Sequence, residues 1–121
     1  MDSYQDLIVW QKSMQLVKEV YTLVKMLPKE EQFALSDQMR RAVVSIPSNI
    51  AEGYGRNSTN DYIRFLNIAR GSKYELDTQI QICVMLNYIS KEKAIQFLFR
   101  NKKNPRPSSR GFSFDSVSQK P

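Results

Sequence analysis

The most constraining feature of this chain is a proline inside a helical pattern, within the segment S-I-P-S-N-I-A-E-G at residues 45–53. Apolar residues recur here at the three- and four-residue spacing of a buried helical stripe, namely Leu35, Met39, Ala42 or Val43, Ile46 and Ile50. Pro47 cannot donate a backbone hydrogen bond and its ring crowds the carbonyl of Val43, so the pattern predicts a bent helix. Because proline costs a helix interior about 3 kcal/mol relative to alanine, tertiary packing must hold this segment.

Helical periodicity extends over residues 5–99 without an alternating strand pattern, which predicts one all-α domain at residues 1–99. Four helices are predicted, at Gln5–Leu27, from Phe33 or Ser36 to Tyr54, from a Ser58 N-cap to about Leu86, and at Lys91–Phe99. The fourth is short, about 15 Å against about 45 Å for the third. Residues 100–121 are basic and rich in proline and serine, and they are predicted to form a disordered tail.

Four small or polar residues are predicted to mark helix ends. Gly53 and Gly55 supply positions where a positive φ is cheap, so the second helix is expected to stop there. Asn87 is expected to end the third helix in the left-handed conformation, and Ser90 is expected to cap the fourth.

The first helix carries two apolar seams, which together cover an arc of roughly 200°. One seam consists of Leu7, Trp10, Met14, Val17, Tyr21 and Val24, and the other of Val9, Leu16, Val20, Leu23 and Leu27. An arc this wide suits a helix that contacts two neighbours within a bundle. It equally suits a helix that contacts a second copy of the chain.

The net charge of +6 is unevenly distributed. Residues 100–121 hold six Lys/Arg and one acidic residue, whereas residues 1–99 hold twelve basic and eleven acidic residues. The excess of positive charge is therefore mostly a property of the tail. Within the helical part, however, all five arginines fall in one central stretch, between residues 40 and 70.

The sequence lacks the residues that most enzymes of this size would need. It contains no histidine, and its single cysteine, Cys83, lies on an apolar stripe and is predicted to be core. The Gly53-Tyr54-Gly55 cluster lacks the Lys-Ser/Thr of a P-loop. We therefore expect no catalytic activity, no metal and no cofactor. Without a signal peptide or an apolar run long enough for a membrane span, a cytoplasmic location is predicted.

The arginine group is the best functional candidate, because a guanidinium fork suits phosphate oxygens and gives salt-sensitive affinity. The predicted nucleic-acid-binding residues are Lys12, Arg40, Arg41, Arg56, Arg64, Arg70 and Lys73. In the alternative interpretation, Arg41 and Arg70 form structural ion pairs with Glu52 and Glu75, and the other arginines are ordinary solvated surface.

Most aromatic residues lie on apolar helical stripes and are predicted to be core rather than base-stacking. They are Trp10, Tyr21, Phe33, Tyr62 and Phe65. Tyr54, beside Arg56, is the aromatic residue expected to be exposed.

Five segments carry a recognisable pattern, in order and at compatible spacing: Leu7–Lys12, Gln38–Ala42, residues 45–53, Arg64–Leu66, and Ala69–Ser72 with Glu75-Leu76. In these segments the chain resembles one bacterial family, the four-helix bundle proteins encoded in intervening sequences of 23S ribosomal RNA genes. The resemblance implies an antiparallel, up-down four-helix bundle that assembles as a ring-like homopentamer. A related branch, the accessory protein of diversity-generating retroelements, binds nucleic acid and a partner reverse transcriptase. The C-terminus departs from this family at Asn101–Pro105, where the amphipathic fourth helix would continue.

We therefore expect a non-catalytic, homo-oligomeric bundle that binds structured RNA or DNA, or a nucleic-acid enzyme, through basic surfaces on its second and third helices. The alternative is a purely structural or protein-interaction assembly whose bundle binds no nucleic acid.

Overall fold

The computed structural model describes residues 3–98, and all of the regular structure in that range is helical. The four α-helices are α1 (Ile8–Val24), α2 (Leu35–Tyr54), α3 (Thr59–Met85) and α4 (Lys91–Leu98). Short 3-10 turns at Tyr4–Asp6 and Lys29–Glu31 precede α1 and α2. The predicted all-α class is confirmed, with four helices. The predicted tail lies outside the described residues.

Three predicted helix ends are confirmed by their backbone geometry or hydrogen bonds. The Ser58 hydroxyl accepts a hydrogen bond from the backbone N–H of Asp61 at 3.0 Å, and Ser90 accepts one from Lys93 at 3.0 Å. Asn87 has a φ of 63°, the left-handed conformation expected after α3. The first helix starts later than predicted, because Leu7 has an extended backbone that separates the 3-10 turn from α1.

The second helix ends at Tyr54 with Gly55 as its C-cap, as predicted, but the predicted reason, a positive φ at these glycines, is wrong. Gly55 has a φ of −77°, which any residue can adopt, and Gly53 lies inside α2. Gly53 is instead required by packing, since a Cβ added there would lie 2.6 Å from the Cβ of Phe65 on α3. Glycine thus lets the two helices approach closely at this point.

The core is built mainly on α2, which packs against both α1 and α3. One predicted seam of α1 is entirely buried, whereas the other is exposed at its middle, at Met14 and Tyr21. The largest fully buried side chains of α2 and α3 are those of Met39, Val43, Ile46, Ile50, Tyr62, Leu76, Ile80 and Cys83. Pro47 is also buried inside α2, which agrees with the expectation that packing holds this proline in a helix.

Several side-chain contacts fix the register of α2 against α3. The hydroxyl of Ser72 donates to that of Ser45 at 2.9 Å, and the sulfur atoms of Cys83 and Met39 lie 3.7 Å apart. Together with the close approach of Gly53 to Phe65, these contacts pair later residues of α2 with earlier residues of α3. At eight residues, α4 is about 12 Å long and covers only one end of the 27-residue α3.

A hydrogen-bonded carboxylate joins the two loops at this end of the molecule. Glu31 accepts a hydrogen bond from the Tyr88 phenol at 2.7 Å through one oxygen. Through its other oxygen it accepts one from the backbone N–H of Leu35, at 3.2 Å, where α2 begins. The hydrogen bond to Glu31 raises the pKa of Tyr88, so the phenol stays protonated and keeps donating.

Within residues 3–98, no helix is both long enough and apolar enough to cross a membrane.

Candidate nucleic-acid interface

The five arginines of the helical part lie at the surface of α2, of α3 and of the turn between them. The side chain of Arg41 is 80% exposed, and those of Arg56, Arg64 and Arg70 are also exposed. Arg40 is half-buried. The alternative pairing of Arg41 with Glu52 does not occur, because each of the two pairs with a residue four positions away in the sequence. Arg41 contacts Asp37 at 3.0 Å, and Glu52 contacts Arg56 at 2.9 Å.

Two of these arginines flank one phenylalanine where α2 meets α3. The guanidinium carbons of Arg56 and Arg64 lie 4.8 Å and 4.5 Å from the centre of the Phe65 ring. Arg56 comes from the turn after α2, and the close approach at Gly53 brings this turn next to Phe65. Stacking on an aromatic ring orients a guanidinium while leaving its N–H groups available to acceptors. We call Arg56, Arg64 and Phe65 the arginine–phenylalanine corner.

A second group of arginines borders an open groove between α1 and α2. The groove has a volume of about 400 Å³ and is lined by Tyr21, Asp37, Arg40, Arg41, Val44 and Ser45. Asp37 is shared, with Arg41 at 3.0 Å and Arg40 at 3.9 Å, while Arg40 also donates to the backbone carbonyl of Gln32 at 3.1 Å. One carboxylate therefore faces two guanidinium groups, and the groove keeps a net positive charge.

The remaining predicted residues differ in how available they are. Arg70 is exposed on α3 with its guanidinium carbon 5.8 Å from the centre of the Tyr74 ring, and no carboxylate of residues 3–98 pairs with it. Lys73 contacts Asp77 at 3.1 Å, and both side chains are largely buried, which makes Lys73 the least available cation of the set. Lys12 is exposed on α1, outside the α2–α3 group.

The carboxylates beside these arginines do not preclude binding. Asp37, Glu52 and Asp61 each contact arginines three or four positions along the same helix segment, at 2.9–3.9 Å. Exposed ion pairs of this kind contribute only about 0.2–1 kcal/mol. Three carboxylates therefore face four guanidinium groups, and Arg70 adds a fifth positive charge that no carboxylate of residues 3–98 pairs with.

The aromatic predictions are partly wrong. Tyr62 and Phe65 are buried as expected, and Trp10 is half-buried against Tyr4. Tyr21 is exposed, and Phe33 is 87% exposed, because it lies in the turn before α2 begins and so has no helical face. Tyr54, expected to be exposed, is half-buried and packs edge-on against Tyr62.

Comparison with known families supplies the assignment. A family model described as 23S rRNA-intervening sequence protein matches residues 5–103. The chain belongs to this family. The match spans α1 to α4 and includes all seven predicted binding residues. The family description refers to where the genes lie and names no activity. A search of curated proteins finds no significant match.

Proposed function

We propose that this member of the 23S rRNA-intervening sequence family is non-catalytic and binds structured RNA or DNA electrostatically through the arginines of α2 and α3. The observation that carries the proposal is the position of those arginines on two directly packed helices and the turn between them, where Arg41, Arg56, Arg64 and Arg70 are exposed and Arg40 is half-buried. Two of them are oriented by the ring of Phe65. A surface of this kind contacts phosphates and does not read base sequence.

The affinity for RNA or DNA is expected to fall steeply with salt, because each phosphate contact releases a counterion. Replacing the two corner arginines together, as Arg56→Gln with Arg64→Gln, should lower the magnitude of the slope of log K against log[salt] by about two. Fluorescence anisotropy with a labelled hairpin RNA, between about 50 and 200 mM salt, measures both quantities.

The matched control is Lys25→Gln with Lys29→Gln, which removes the same charge from exposed positions after α1. Because every variant keeps the basic tail, the comparison isolates the bundle. If the arginine variant kept the slope of the lysine control, the bundle arginines would not be the binding surface.

We further propose that the four helices form an antiparallel up-down bundle and that the chain assembles in the cytoplasm as a homo-oligomer, a pentamer by family resemblance. The α2–α3 contacts support the antiparallel order, because they pair later residues of α2 with earlier residues of α3. Met14 and Tyr21 on α1 and Val44 on α2 support the assembly, because each is at least 40% exposed and apolar. A partner such as a reverse transcriptase would then contact a repeated surface.

The assembly proposal predicts a sedimentation mass several times the 14.1 kDa of one chain. Analytical ultracentrifugation of the full chain at micromolar concentration measures this mass. The matched variant Met14→Gln with Val44→Gln should lower it if these residues lie between copies. A wild-type mass of one chain would contradict the proposal.

A second candidate function is a purely structural assembly whose bundle binds no nucleic acid. The exposed apolar residues favour it, because they fit contacts between proteins and not contacts with phosphates. An oligomer whose nucleic-acid affinity does not change when the corner arginines are replaced would establish this alternative.

A further inference from the structure

One aromatic side chain is exposed in the middle of the longest helix. Tyr74 lies far from either end of α3, and its side chain is 59% exposed. The buried face of α3 is formed by other residues. Nothing in the packing of residues 3–98 requires an aromatic ring at this position. Its surroundings therefore decide what the ring is suited to bind.

An arginine without a carboxylate lies beside this ring. Arg70, one turn earlier, places its guanidinium carbon 5.8 Å from the ring centre and makes no ion pair within residues 3–98. It differs in this from the other four arginines of α2 and α3. Its charge is consequently the most available of the five for a phosphate.

The position next to Arg70 has no side chain. Side chains on a helix lean toward its N-terminus, so Tyr74 lies over the turn that contains Arg70 and Gly71. A Cβ added at Gly71 would meet no atom within 4 Å. Glycine in an exposed helix interior lowers helix stability, and here it leaves the helix surface open between Arg70 and Tyr74 in the sequence.

We infer that Tyr74, Arg70 and Gly71 form a site for an unpaired nucleotide, whose base stacks on the Tyr74 ring and whose phosphate contacts Arg70. Stacking on aromatic side chains is how proteins hold bases that are not paired in a helix, and the arrangement tolerates any base. The inference rests on the proposed function and adds to it a preference for loops or single strands.

The test measures the affinity of the full-length protein for a labelled 20-nucleotide single strand and for the duplex of the same sequence. Tyr74→Ala should weaken binding of the single strand by about 5- to 150-fold, the range for loss of one stacked base. Binding of the duplex should change by less than twofold, because its bases are already stacked. Tyr74→Phe should restore single-strand binding, because the ring is retained.

Two further variants make the result specific to this site. Gly71→Leu fills the open space and should weaken single-strand binding without lowering the affinity for the duplex. Phe33→Ala removes a more exposed aromatic from the turn before α2 and should change neither affinity. Circular dichroism should show that each variant keeps its helix content.

The outcomes separate this inference from the proposed function. If Tyr74→Ala left single-strand binding unchanged, or weakened single strand and duplex equally, the nucleotide site would be refuted while salt-dependent binding could persist. If Tyr74→Ala instead lowered the sedimentation mass, Tyr74 would lie in a protein contact, and the inference would be wrong. If the wild-type protein bound neither probe, both the inference and the proposed function would fail.

Discussion

Replacing Gly53 by alanine is expected to destabilise the fold by about 1–3 kcal/mol, the usual result of overpacking a close contact. The added Cβ would lie 2.6 Å from the Cβ of Phe65 and 3.2 Å from the backbone carbonyl oxygen of Tyr62. Neither atom is at the end of a flexible side chain, so α2 and α3 must move apart. Alanine favours helix by about 1 kcal/mol over glycine, and the clash must outweigh that gain.

Gly71→Ala provides the matched control, since it adds the same methyl group to the interior of α3 where no atom lies within 4 Å. Here helix propensity acts alone and should stabilise the fold by about 0.5–1 kcal/mol. Thermal unfolding followed by circular dichroism should show the two variants shifting Tm in opposite directions. Equal shifts of the same sign would mean that α2 and α3 do not meet closely at Gly53.

The thiol of Cys83 is expected to be almost unreactive in the native protein. Burial, and secondarily the negative charge of Glu31, raises the pKa of this thiol to about 11. Only the thiolate reacts, and a shift from 9.0 to about 11 lowers its fraction at pH 8 by about 100-fold before access is considered. Labelling with an aromatic disulfide reagent at pH 8 should be slow for the folded chain and complete once guanidinium unfolds it.

Met39→Ala tests the cause of this protection, because the Met39 sulfur lies 3.7 Å from that of Cys83 and its removal opens the buried site. Labelling of this variant should be faster than labelling of the wild type. The raised pKa also means that the folded state holds the proton more tightly than the unfolded state. The associated stability is present below pH 9 and is lost as the pH rises toward 11. Rapid native labelling at pH 8 would contradict this description of the core.

Helix ends were predictable because their chemistry is local. Ser58, Asn87 and Ser90 each act through an atom or a dihedral angle within a few residues of themselves, so the sequence alone indicates their roles. The ion pairs could be predicted from the sequence in the same way. Asp37–Arg41 and Glu52–Arg56 both have the four-residue spacing of neighbours on a helix, a simpler signal than the pairing of Arg41 with Glu52.

The features that sequence reasoning missed depend on contacts between helices. From its local sequence, Gly53 is predicted to terminate a helix. Its actual role is to allow close packing against Phe65, which lies twelve positions later on another helix. The arginine–phenylalanine corner shows the same dependence, because Arg64 is the sequence neighbour of Phe65 whereas Arg56 reaches this ring only through the packing of α2 against α3. The first helix likewise could not be fully predicted. Its sequence shows two apolar seams, but only one of them is completely buried within a single copy of the chain.

The double role of Glu31 has a consequence for how substitutions combine. One carboxylate receives both the first backbone N–H of α2 and a phenol that lies 57 residues further along the chain. Replacing Glu31 would remove both hydrogen bonds at once, the one at the start of α2 and the one to Tyr88 in the turn before α4. Changes at Glu31 and Tyr88 should therefore be non-additive in a double-mutant cycle, and this coupling ties the placement of the shortest helix to the start of the central one.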